Sequence, residues 1–68
     1  MSPEAIRDVL SHAAKRRSTV RVRIGGEVEI MGSIAFVGAD VVLLVPRGAL
    51  RPMQILLHGI EHAEVVTR

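Results

Sequence analysis

The sequence has no cysteine, no tryptophan and no tyrosine, and Phe36 is its one aromatic residue. Without cysteine there are neither disulfide staples nor thiolate metal ligands. With a single aromatic, the core has to be assembled from Val, Ile, Leu and Ala, and the usual aromatic platforms for stacking bases are missing. No apolar run approaches the ~20 residues of a membrane span. The first residues are not a charged segment leading into an apolar one, so a signal peptide is not expected and a cytoplasmic location is. There is no nucleophile motif, and Gly25-Gly26 lacks the spacing and the following lysine of a phosphate-binding loop. Asp40, Glu27, Glu29, Glu61 and Glu64 form no evident carboxylate pair for acid–base work. Neither enzymatic activity nor a bound cofactor is expected.

What is present is short and apolar. The chain has 68 residues, 49% of them hydrophobic, and a net charge of +2. That length supports one small domain. A domain of this size buries only about 60% of the surface its unfolded chain exposes. Lacking staples, it is a candidate for stabilisation by oligomerisation. The mild positive charge permits an anionic partner without requiring one.

The patterning centres on residues 20 to 45. Val20, Val22 and Ile24 alternate with Arg21 and Arg23, the period of a half-buried strand. Gly25-Gly26 supplies the positive-φ residues of a tight hairpin turn. Beyond it, Val28, Ile30, Gly32, Ile34 and Phe36 alternate with Glu27, Glu29, Met31, Ser33 and Ala35. Gly32, in mid-strand, marks a bend or a close backbone approach. Gly38-Ala39-Asp40 makes a second turn, and the unbroken run from Val41 to Val45 is expected to be covered on both faces. Upstream, Ser2 as N-cap, Pro3 at the first helical position and Glu4 near the positive dipole end begin a helix. Ile6, Val9, Leu10 and Ala13 form its apolar stripe, and Lys15, Arg16 and Arg17 close it. Downstream, residues 46 to 52 read as an exposed loop. A fourth strand then carries Ile55, Leu56 and Leu57 inward, and Gly59-Ile60 turns into a short fifth. The expected boundaries are a helix over 3–16 and strands over 19–24, 27–37, 40–45, 53–58 and 62–67. The fold class is mostly β: a small, strongly bent, five-stranded open barrel with an N-terminal α-helix.

Two stretches resemble the Sm/Lsm family, including its bacterial Hfq-type RNA chaperones. The first, VRVRIGGEVEIMGSIAFVGADVVLL over Val20 to Leu44, is similar to the family's first motif: apolar alternation, a glycine turn, a mid-strand glycine and an aspartate opening the third strand. The second, ILLHGIEHAEVV over Ile55 to Val66, is similar to the second motif, in which an apolar strand runs into a basic residue and glycine. The resemblance implies a closed ring of about five to eight subunits, in which the fourth strand of one subunit pairs with the fifth of the next. It also implies single-stranded RNA as partner. The departures are specific. The segment from Gly32 to Asp40 is longer than the family spacing. The asparagine expected after the aspartate is replaced by Val41, Val42, Leu43 and Leu44, and the arginine before the glycine is His58. In the family those aspartate, asparagine and arginine positions build a uracil pocket.

On that resemblance Asp40 and His58-Gly59 are the candidate base contacts. The plainer reading of Asp40 is structural, its carboxylate accepting backbone N–H bonds at a turn. His58 and His62 are four residues apart but flank a glycine turn, so a metal site is not expected. Lys15, Arg16, Arg17, Arg21 and Arg23 are the densest basic cluster and the candidate phosphate contacts. The plainer reading of these is a helix C-terminal charge cluster beside a solvated strand face. Function therefore reads two ways: an RNA-binding Sm-like ring, or an Sm-like oligomer that serves structure or protein interaction without an RNA pocket. An unrelated small barrel working as a monomer is the third alternative.

Overall fold

The computed structural model describes residues 1–66. Helix α1 spans Pro3–Arg16, as the capping pattern requires. The Ser2 side chain accepts the Ala5 N–H at 3.2 Å, and the Ser2 carbonyl accepts from Ile6 at 3.0 Å. Ile6, Leu10 and Ala13 are buried, and Val9 packs at the edge of the same stripe. The helix ends at Arg17, which takes the left-handed conformation at φ 55°. Its N–H and that of Ser18 turn back to the carbonyls of Ala14 and Ala13. Glycine usually fills such a cap, because a Cβ is strained there.

Five antiparallel strands follow: β1 Thr19–Arg23, β2 Glu29–Val37, β3 Val41–Pro46, β4 Met53–Leu56 and β5 His62–Val65. They form one sheet in the order β4-β3-β2-β1-β5. Strand β2 makes this sheet a barrel wall. Its first half, Glu29 to Ser33, pairs with β1, and its second, Gly32 to Val37, pairs with β3. Only Gly32 and Ser33 are paired on both sides. Gly32 is where the strand bends, and there the backbone of β3 closes in: a Cβ on Gly32 would collide with the Val45 carbonyl and lie 2.9 Å from the Cα of Pro46. The mid-strand glycine thus marks a close backbone approach.

The core lies inside the bend. Val20 and Val22 of β1, Val42 and Leu44 of β3 and Ile55 of β4 face inward, with Ile30, Ile34, Val37 and Met53 partly buried around them. Helix α1 packs over this apolar opening against β2, β5, β1 and the turn after β4. Leu57, Ile60 and Ala63 complete the buried cluster.

Several expectations need correcting. The first hairpin closes through a bond from the Ile24 N–H to the Val28 carbonyl, 3.0 Å, around a three-residue loop. The first strand therefore stops at Arg23, and the second begins at Glu29 rather than at 27. The alternation of β2 breaks at a bulge between Ile34 and Phe36, where Ala35 is the extra residue. One inserted residue moves every later side chain to the opposite face. Val37 consequently turns inward and Phe36 outward, 54% exposed. Strand β3 runs from Val41 to Pro46, and it is covered on one face only: Val42 and Leu44 are buried, Val41, Leu43 and Val45 half-buried. The fourth strand ends at Leu56, and Leu57–Gly59 form a 3-10 turn instead of continuing it. Leu56 points outward at 51% exposure, because its neighbours Ile55 and Leu57 take the inward positions. Strand β5 is seen from His62 to Val65, and the expected last residue, Thr67, lies outside the described residues.

Candidate functional site

The β2–β3 turn gathers one group of candidate residues. The Gly38 N–H donates to the Val41 carbonyl at 2.7 Å and closes the turn. The Asp40 carbonyl accepts the Leu57 N–H at 2.8 Å, which ties the 3-10 turn carrying His58 and Gly59 to this end of the barrel. Asp40, His58 and Gly59 are all exposed. Asp40 thus holds structure through its backbone. Its carboxylate makes no hydrogen bond or ion pair among the described residues, which corrects the expectation of a side-chain bond to turn amides.

Two further residues join this group without having been legible as site residues. Arg7, on the exposed side of α1, donates from Nη2 to the Ala39 carbonyl and fixes its guanidinium against the turn. A helical arginine beside a buried isoleucine carries no sequence signal that it will reach a loop 32 residues away. Phe36 lies against the same turn: a Cβ on Gly38 would come within 3.0 Å of its Cε2. The bulge is what brings the ring there.

The five basic residues expected to act as one cluster divide into two sets. Arg21 and Arg23 stand on the outer face of β1 and are engaged by carboxylates. Arg21 Nη1 lies 3.8 Å from Glu64, and Arg23 Nη2 donates to Glu29 at 3.3 Å. His62, opposite Arg23 on β5, has its Nε2 3.5 Å from Glu64. Such half-exposed pairs contribute about 0–1 kcal/mol each, but they lower the charge available to a phosphate. Lys15, Arg16 and Arg17 have no ion pair among the described residues. They sit at the helix C-terminus, where cations suit the dipole.

Beside them is an open groove of about 380 Å³ lined by His12, Ala13, Arg16, Ser18 and Val65. The His12 Nδ1–H donates to the Asp8 carbonyl at 2.9 Å, because a carbonyl can only accept, and Nε2 has no hydrogen-bond partner among the described residues. Among the described residues no three His, Cys, Asp or Glu side chains converge as metal ligands, and His58 and His62 lie on separate elements. Among the described residues no helix is long and apolar enough to cross a membrane.

The remaining feature is the pair of open sheet edges, β4 and β5. Since the Leu57 N–H points toward β3, strand alternation turns the N–H and C=O groups of Gln54 and Leu56 toward the open side. The Val66 N–H donates to Thr19 at 2.8 Å, so the corresponding groups of Ala63 and Val65 face away from β1. Both edges are four residues long and carry an exposed apolar side chain, Leu56 on one and Val65 on the other. In comparison with known proteins, the chain matches no family model and no curated protein sequence.

Proposed function

We propose that the protein is an Sm-like subunit that assembles into a closed ring of about five to eight copies and binds single-stranded RNA in the cytoplasm. The observation that carries this reading is the sheet order, which leaves β4 and β5 as two open edges of equal length. Pairing β4 of one copy with β5 of the next would satisfy both rows of outward amides and cover Leu56 and Val65. Closure of the ring would leave no edge open to further pairing. RNA binding is supported by Lys15, Arg16 and Arg17, which have no ion pair among the described residues, and by the turn that groups Asp40, His58 and Gly59 with Arg7. In this reading the first set holds phosphates and the second contacts bases.

A second reading is an Sm-like oligomer that serves structure or protein interaction. It is favoured by the engagement of Arg21 and Arg23 with Glu64 and Glu29, which takes two of the five candidate cations out of phosphate binding. The two readings separate in one experiment: titration of labelled oligo-uridine and oligo-adenosine at low and high salt, with the mass of the protein measured alongside. The RNA reading expects binding that weakens steeply with salt, since each phosphate contact releases counterions. An intact oligomer that binds neither probe at low salt leaves the second reading, and a monomer contradicts both.

A further inference from the structure

We infer that the groove between α1 and β5 receives Gln54 of a second copy, with Leu56 seated beside it, so that the outer face of β4 in one copy passes beneath the helix of the next. The inference rests on the assembly part of the reading above and supplies the register and the side chains of its seam.

The backbone selects the pairing. Gln54 and Leu56 offer their N–H and C=O groups on the open side of β4, and Ala63 and Val65 offer theirs on the open side of β5. Antiparallel pairing of Gln54 with Val65 and of Leu56 with Ala63 lets each pair exchange both of its bonds, and every one of these groups is used. The slanted bonds of a parallel pairing leave an N–H and a C=O of the same set unpaired.

That pairing fixes where the side chains go. Residues directly opposite in an antiparallel pair project to the same side of the sheet. On β4 the edge-facing Gln54 and Leu56 stand on the outer face, flanking the buried Ile55. On β5 the edge-facing Ala63 is buried, and Val65 lines the groove with His12, Ala13, Arg16 and Ser18. The outer face of one copy therefore continues into the helix-covered face of the next. Leu56, 51% exposed in the single copy, comes beside Ala63, and Gln54 enters the groove.

The groove suits a carboxamide. His12 commits its Nδ1–H to the Asp8 carbonyl, which leaves Nε2 as the acceptor of that tautomer. Arg16, one helical turn further on, brings donors only. A carboxamide has N–H donors at one end and an acceptor oxygen at the other, so Gln54 can donate to His12 and accept from Arg16 at once. Its side chain makes no hydrogen bond among the described residues. Arg16 thereby serves the seam, and Lys15 and Arg17 remain for phosphate.

The test uses the full chain, which has no cysteine of its own. Gln54→Cys and Val65→Cys are made as separate proteins, mixed and oxidised. A disulfide joining the two variants is expected, because the Cα atoms of a bonded antiparallel pair lie about 5.5 Å apart, within the span of a disulfide. In that mixture any such link joins two copies. Ser33→Cys, on the outer face away from the edge, is expected to link to neither variant nor to itself. Gln54→Leu keeps the bulk and removes the carboxamide. It is expected to weaken association about 2- to 10-fold, the worth of a hydrogen bond, with circular dichroism unchanged. Association equal to wild type would overturn the carboxamide contact. If the protein is an oligomer by light scattering and positions 54 and 65 do not link, the seam is wrong while assembly stands. Linked Ser33→Cys copies would show outer face meeting outer face, and would overturn the inference. If wild-type protein is a monomer, the assembly reading itself fails and takes the seam with it.

Discussion

The two halves of the bent sheet present very different surfaces to solvent. On the β1–β5 half the outward positions, Thr19 and Met31 aside, form a charged ladder in which Arg23 meets Glu29, Arg21 meets Glu64, and His62 adjoins Glu64. On the β3–β4 half the outward positions include Phe36, Val41, Leu43, Val45 and Leu56, and none is charged. The inner faces do not differ in this way, since both halves turn valine, leucine and isoleucine toward the helix. A ladder of compensated charge is a finished surface, content with water and poor in free charge for a ligand. An uncharged apolar face that ends in an open strand edge is unfinished, and this half is where partners are to be sought.

The largest effect is expected where the halves join. Gly32→Ala puts a Cβ into the backbone of Val45 and Pro46, which cannot move without giving up the β2–β3 pairing. It should cost about 3 kcal/mol or more, or prevent folding, read by denaturant melting. Next comes a matched pair of leucines. Leu44, fully buried on the inner face, should lose about 2–5 kcal/mol on replacement by alanine. Leu56, on the adjacent strand and the outer face, should tolerate lysine with its circular dichroism unchanged while the assembled mass falls. Equal damage to the fold from both leucines would erase the distinction between the faces. The smallest effect belongs to the charged ladder. Glu29→Gln should cost less than about 1 kcal/mol, and less again at high salt.

Much of this architecture was legible in the residues. The helix from Pro3 to Arg16 follows from a serine cap, a proline at the first position and a stripe at helical spacing. The bend at Gly32 follows from a glycine inside an alternating strand. What escaped was what periodicity cannot carry. A bulge at Ala35 changes the face of Phe36, yet nothing in the run Ile34-Ala35-Phe36-Val37 says which residue is extra. In Ile55-Leu56-Leu57 three apolar residues succeed one another, so pattern alone does not reveal that the middle one is exposed. The candidate site was legible in part. Asp40 and the His58-Gly59 turn do share one end of the barrel, through a bond from Leu57 to Asp40 that links two distant segments. Arg7 enters through a contact 32 residues away along the chain, and the division of the basic cluster depends on which glutamates lie across the strands. Tertiary register decides both.

The measurement that bears most directly on the account is the absolute mass of the protein in solution, by size-exclusion chromatography with light scattering. The open β4 and β5 edges and the apolar outer face predict an assembly of about five to eight copies of the 7.4 kDa chain. A clean 7.4 kDa monomer across micromolar concentrations would contradict it, and would leave both edges and the face around Leu56 solvated in the working protein.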